Sequence, residues 1–294
     1  VLTQTDPEGG ATTFTYDTVN RLSSIADSLG NLTSYTYDKA GQLTAKENAR
    51  GDLTNYTYDA AGQLTSMTDE LGKISYTYDK NGNILTVTDE SGTITREYDK
   101  RNLLTAYTDA GGNRIEYTYD ELGNLITLTY PDGTAVHYSY DKTGLLICMT
   151  DDQNRVTKYS YDANGNLIQT LRPDGSTETI IRDKAGKMLS KKDVGADGVI
   201  YEATYTYDAS GNIVSLTSAN SLSALDFEET EMEYDSANRL IKWNGFSLVY
   251  DADGNMTYGP LNGKMESYVY DCRNRLVRAG DTSYTYDAEN NRIG

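Results

Sequence analysis

Histidine is almost missing from this chain, with His137 the single one among 294 residues. That nearly excludes histidine-built metal sites and weakens any histidine-dependent triad. The two cysteines, Cys148 and Cys272, are too few for a disulfide framework and say little about compartment. Phenylalanine and tryptophan are scarce, 3 and 1 against 26 tyrosines, and apolar residues make up only 37 %. A tyrosine buries its ring while its hydroxyl seeks a partner, which suits a thin sheet better than a thick dry interior. Basic residues are outnumbered 26 to 44, giving a net charge of −18. This excess opposes nucleic-acid binding and docking on anionic membranes. No apolar run approaches the roughly 20 residues of a membrane span.

What is plentiful is repetition. The stretch "YTYDKAGQL" at 35–43 returns as "YTYDAAGQL" at 56–64. Thirteen Tyr-Asp pairs occur, with Asp at 17, 38, 59, 79, 99, 120, 141, 162, 208, 235, 251, 271 and 287. A fourteenth unit keeps Asp183 but carries Arg182 in the tyrosine position. From Asp17 to Asp183 the spacing is 20 or 21 residues throughout. Such self-similarity is the signature of a repeat architecture.

Three residues after each of the fourteen Asp stands Gly or Asn, the residues that most readily accept a left-handed backbone. Asp, two tolerant positions and then a left-handed residue predict a type I turn whose Asp side chain caps turn amides, closing a bulged hairpin. Five residues after the Asp, thirteen of the units place Leu, Ile or Met, and the last slips to Ile293. "YTYD" alternates Tyr and Thr with a strand's period of two. A second set of turn signals, "DSLGN" (27–31), "DELGK" (69–73), "DESGT" (89–93), "YPDGT" (130–134) and "RPDGS" (172–176), divides each unit into strand, turn, strand, turn. The expected fold class is all-β: tandem hairpins, about 28 strands, no helix, in one long antiparallel sheet. At about 4.8 Å per strand that sheet would be roughly 134 Å wide if flat, so it is expected to curve, as a spiral shell or a solenoid.

Residues 1–190 read as the regular array, and 191–294 as irregular repeats continuous with it. The irregular part has spacings of 25 and 27 residues and then 16, 20 and 16. The inserts "DVGADGVIYEAT" and "SANSLSALDFEE" are expected to be loops or an exposed rim. Asn244-Gly245 predicts a two-residue hairpin turn. The opening "VLTQTDPEGG" resembles the middle of a repeat, so the sequence is expected to be a fragment cut at both ends.

Candidate chemistry is thin. "DADGN" (251–255) has the acidic spacing of a calcium loop's opening but lacks the glycine and distant glutamate of the full motif, so a turn is expected. "VGADG" (194–198) is no stronger. His137 is expected on a sheet face in a tyrosine-like slot, Cys148 as a small buried hydrophobe, and Cys272 exposed in a turn and the more reactive thiol. No catalytic, metal or cofactor residue is assigned, no binding residue is identifiable, and no enzyme is expected.

The units "YDAAGQLT" (58–65) and "YDANGNLI" (161–168) are similar to RHS repeats, also called YD repeats, along essentially the whole chain. The resemblance extends to bacterial RHS proteins, Gram-positive wall-associated proteins, shell components of insecticidal toxin complexes and teneurins. It implies a β-sheet spiralling into a hollow shell around a C-terminal toxin domain of the same polypeptide, in a secreted or cell-surface bacterial protein. The family's terminal "DPxG" segment has no counterpart here, Asp6-Pro7 being the only Asp-Pro pair. A different reading of the same tyrosine rows is a cell-wall, carbohydrate-binding or adhesion module, in which sugars stack on exposed rings.

Overall fold

The structure is a computed structural model describing residues 1–218 and 231–294. Among the described residues there are 29 strands and no helix, hence none long and apolar enough to cross a membrane. Strands up to Ser218 belong to a 21-stranded antiparallel sheet, followed by sheets of three and five strands. The chain divides into two units. One comprises Val1–Glu97, Thr108–Gly112 and described residues from 231 onward; the other comprises Tyr98–Tyr107 and 113–218.

Each repeat follows the expected plan. Strand Leu32–Tyr37 leads into the turn Asp38–Gly41, and Leu43–Glu47 returns. The Asp38 amide donates to the Gln42 carbonyl and the Gly41 amide to the Asp38 carbonyl. The predicted left-handed position is left-handed in all fourteen units, from Asn20 (φ 67°) and Gly41 (φ 88°) to Asn290 (φ 65°). The Asp side chain caps the turn: Asp17 Oδ1 accepts from the amides of Val19 and Arg21 at 3.0 and 2.9 Å.

Beyond the turn the ladder slips by one. Thr36 faces Ala45, but Tyr37 faces Leu43, leaving Thr44 as an extra residue. The same bulge recurs at Tyr58, Tyr78, Tyr119, Tyr140, Tyr161 and Tyr207. A bulge bends its strand and increases local twist.

Repeat length follows from the second turn. Asp27–Asn31 closes as a three-residue link, with Gly30 donating to Asp27. In the two 20-residue units the link is shorter: Asp69 faces Gly72 and Asp89 faces Gly92 across two residues. The residue is lost from the loop, so the strands keep their facing pattern.

One expectation about the irregular region changes. "DVGADGVIYEAT" is not a loop: it lengthens a hairpin, Met188–Gly195 and Gly198–Tyr207, turning at Ala196-Asp197. The insert supplies Val194, Val199, Ile200 and Tyr201, residues that favour strands, and both arms lengthen together. The "SANSLSALDFEE" segment lies outside the described residues, apart from Ser218. Asn244-Gly245 forms the predicted tight turn, with φ 48° and 80° and Trp243 opposite Phe246. Asn262-Gly263 builds a second turn of this kind, with Leu261 opposite Lys264.

The two sheet faces differ. Tyrosines lie half buried on one face, and only Tyr16, Tyr130, Tyr234 and Tyr258 are exposed. On that face Met67 faces Ile74, and Val87 faces both Tyr76 and Ile94. Ile74, Val87 and Ile94 are almost fully buried. The opposite face carries Thr and Ser, joined across strands by hydroxyl contacts such as Thr57 to Thr65 and Thr77 to Thr86.

A Cβ added at Gly41 would meet nothing within 4 Å, so substitution there meets backbone strain alone. Gly41→Ala is expected to cost about 1 to 2 kcal/mol in denaturant unfolding. Gly41→Asn should be nearly neutral, because Asn20 and Asn102 already occupy this position in sister repeats. Equal losses in both variants would sink the left-handed explanation.

Candidate functional site

The residues with a recurring non-local role are the tyrosines of the Tyr-Asp pairs. The hydroxyl of Tyr37 donates to the main-chain carbonyl of Leu22, one repeat earlier, at 2.9 Å. Tyr58 does the same to Leu43 and Tyr78 to Leu64. In the second unit Tyr119, Tyr140, Tyr161 and Tyr207 reach Leu104, Leu125, Leu146 and Met188. Tyr250 and Tyr286 reach Leu240 and Leu276. Each acceptor is the apolar residue five after the preceding turn Asp, so the two most regular positions of the motif are joined across repeats. Phenylalanine could fill the space but not make the bond.

A further position of the motif, four after the Asp, carries a role that the turn pattern does not reveal. It is Arg, Lys, Asn or Gln in all units except Leu103 and Leu145. Arg21 donates to Asp17, lies 4.9 Å over the Tyr37 ring and donates to the Asp38 carbonyl. Arg239 and Arg275 stand over Tyr250 and Tyr286 at the same distance. Asn83, Asn124, Asn166 and Asn212 instead give a side-chain amide to their own turn Asp. Those amides are the main reason that Asp79, Asp120, Asp162 and Asp208 sit below the ordinary carboxylate range. These aspartates are turn caps, not acids poised for proton transfer. Burial holds the phenols of Tyr58, Tyr78, Tyr140 and Tyr250 above their usual value.

Within the unit containing both chain ends, the last repeats lock onto the early ones. Arg273 makes a two-pronged pair with Asp69 at 2.7 and 2.9 Å, the Asp69 side chain being only 1 % exposed. Arg50 contacts Asp251 and Asp253 at 3.2 and 3.1 Å and donates to the Asp271 carbonyl. Asp253 also accepts from the Ala49 amide at 2.8 Å. Arg96 pairs with Glu289. Successive early turns thus meet successive late turns, repeat against repeat, some 200 residues apart in sequence. Burial pulls the Arg273 guanidinium down, but Asp69's hydrogen bond and charge outweigh it and leave it raised.

The candidates from sequence fall into place around this frame. In "DADGN", Asp251 caps its own turn by accepting the Asn255 amide, while Asp253 is occupied by Arg50 and Ala49. Among the described residues no cluster could hold a metal ion. "VGADG" is the tip of the lengthened hairpin. His137 is not in a tyrosine-like slot: it is exposed opposite Thr127 and Thr150, on the face away from Tyr138, with Nδ1 3.2 Å from the Thr127 hydroxyl. Strand alternation requires this, since His137 directly precedes a tyrosine. Cys148 is half buried beside Thr150. Cys272 is half buried too, not exposed, and burial followed by the charge of Asp69 pushes its thiol up, which disfavours the reactive thiolate.

The repeat, its turn and its rungs agree with comparisons across known proteins. The chain matches the teneurin YD-shell family over residues 42–184 and 182–294, and the RHS repeat over 1–32 and 16–53. It belongs to the RHS/YD-repeat shell family, whose repeats are structural. The structure is similar to one chain of a Photorhabdus luminescens Tc holotoxin pore carrying a TccC3 mutation, with a TM-score of 0.56 and 17 % identity over 94 % of this chain. This chain spans 19 % of that one. A TcdB2-TccC3-Cdc42 crystal structure matches at a TM-score of 0.45 and 16 % identity, covering 98 % of this chain and 19 % of the other. No curated protein matches.

Two predictions follow from the rungs and the lock. A phenol raised in the folded state stabilises fully below its unfolded value of about 10 and loses that contribution as pH rises through the folded value. Unfolding midpoints should therefore fall above about pH 10. Tyr58→Phe should cost about 1 kcal/mol at neutral pH and flatten the alkaline fall. An unchanged alkaline limb in that variant would remove the rung as a stabilising element. Separately, Arg273→Ala leaves Asp69 buried without its partner and should cost about 3 to 5 kcal/mol in denaturant unfolding. Asp69→Asn combined with Arg273→Gln should recover much of the loss; additive losses in a double-mutant cycle would show that the pair does not act as a lock.

Proposed function

We propose that this chain is a non-catalytic stretch of wall in a secreted or cell-surface bacterial RHS shell, one that encloses a toxin domain encoded C-terminally in the same polypeptide. The observation that carries this reading is the use of the motif's recurring chemistry. Tyr hydroxyl, Leu carbonyl and turn Asp are all engaged in holding repeat to repeat, and few recurring polar groups are left over for a substrate. A wall needs many equal joints, whereas an active site needs one unequal one. The neighbouring Tc holotoxin structure supports the toxin context by its fold alone.

In this reading residues 1–190 are the regular wall and 191–294 its irregular continuation, where the lock to the early repeats is built. The glycan-binding alternative gains nothing from the geometry. Sugar stacking calls for open ring faces, yet most rings are half buried and at least ten hydroxyls, Tyr268 among them, already donate to main-chain carbonyls.

Small-angle scattering of the full chain tests the proposal. A crescent or hollow profile is the expected result. A straight rod would remove enclosure and leave display or adhesion as the role.

A further inference from the structure

A single charge interrupts the packed face of the early repeats. Eight residues after the turn Asp, on the tyrosine face, the regular array carries Ile25, Met67, Val87, Tyr107, Leu128 and Met149. After Asp38 the same column holds Lys46, whose neighbours across the two adjoining ladders are Tyr35 and Thr54. Neither balances a charge. The column has one other lysine, Lys191, and there the ammonium meets Glu178 at 2.9 Å, within a network that Arg172 and Asp193 complete. Lys46 has no counterpart of Glu178. Among the described residues no hydrogen bond or ion pair reaches its ammonium, although the side chain is half buried. Withdrawing a charge from water without a partner costs free energy.

Lys46 lines a cavity of about 200 Å³ inside the unit that holds both chain ends. Tyr56 and Met67 of the tyrosine face form one wall, and Cys272, Asn274 and Asn290 of two late turns form the other. The groups left over on these walls are donors. Asn274 and Asn290 already use their side-chain oxygens to accept from Asn255 and Arg275, so what remains on each is the NH₂ group. The Tyr56 hydroxyl takes part in no rung, unlike that of Tyr58. The acceptors are taken: Asp52 pairs with Arg50, and Asp69 with Arg273. A ligand for this cavity therefore brings its own acceptor and its own negative charge. A single charge suits it best, because Asp52 and Asp69 repel a second one.

We infer that this cavity binds a small monocarboxylate, its carboxylate paired with Lys46 and accepting from the Asn274 and Asn290 amides. Its volume equals that of about seven molecules of liquid water, room for a short-chain acid. Met67 offers that chain an apolar wall. The site neither requires nor excludes enclosure of a toxin domain, so the two readings stand or fall separately.

Cys272 lines the cavity, while Cys148 lies in the other unit, which gives a probe and its control. Iodoacetate and iodoacetamide both alkylate a thiolate, the sulfur–carbon bond forming as iodide departs, and only the first carries a carboxylate. The test is the ratio of their rate constants at each cysteine of the full chain, read by peptide mass spectrometry. Burial of Cys272 slows both reagents alike and cancels in the ratio. The iodoacetate-to-iodoacetamide ratio is expected to be about tenfold higher at Cys272 than at Cys148. Lys46→Met should abolish that preference; methionine already fills the same column at Met67. Lys39→Met, the loss of an exposed charge in the same repeat, should preserve it. In the unaltered chain butyrate should slow iodoacetamide labelling of Cys272, and butyramide should not. Equal ratios at the two cysteines would overturn the inference, being what a lysine that merely reaches water would give. A preference that survives Lys46→Met would overturn it too. Should that variant fail to fold, the butyrate comparison decides, and equal protection by butyrate and butyramide, or none, would count against the site.

Discussion

A hydrogen bond from a phenol to a backbone carbonyl one repeat away is the interaction on which the rest of this molecule rests. A lone hairpin cannot bury its own apolar face, and a repeat protein gains stability only through neighbour interfaces. Here that interface has a fixed geometry: the tyrosine before one turn reaches the apolar residue after the previous turn, 14 or 15 residues upstream in the regular array. The bond is worth only about 1 kcal/mol net. Its importance lies in repetition and in register, because a strand slipped by one residue would carry every tyrosine to the other face.

The turn supports that bond from the other side. Capping by Asp17 or Asp162 fixes where the chain reverses, and the left-handed Asn or Gly fixes the direction in which it leaves. The bulge that follows sets the apolar residue opposite the tyrosine. The residue four after the Asp joins cap to rung: Arg21 and Arg275 hold their own turn and cover the next tyrosine at once. Local chemistry and the long array thus call for the same residues, the agreement across levels expected of a well-specified fold.

Much of this was legible in sequence because it is local or periodic. The turn Asp, the left-handed positions and the alternating strands each leave a mark within nine residues. The lock between early and late repeats left none. Asp69, Arg50, Asp253 and Arg273 look like ordinary surface charges, and only folding brings residues some 200 apart to within hydrogen-bond distance. Likewise "DSLGN" and "DELGK" share their Asp, Leu and Gly, yet one makes a three-residue link and the other a two-residue link; the difference shows only in the repeat length. The insert after Asp183 reads as excess in the repeat spacing, because spacing alone does not show that its residues are shared between two arms. His137 and Cys272 were misplaced by reading composition without the parity of the strand or the depth of the turn.

The lengthened hairpin separates two dimensions of growth. Its arms have 8 and 10 residues where Leu167–Leu171 and Thr177–Arg182 have 5 and 6, yet Tyr207 still finds the Met188 carbonyl at its base. Extra residues enter beyond the rung, in both arms, and raise the tip by about 10 Å at about 3.3 Å per residue. Width is therefore set by how many repeats are joined, and height by how far any one hairpin projects past its joint. A lineage of such chains can raise a local crest along one margin of the sheet while every joint beneath it stays as it was.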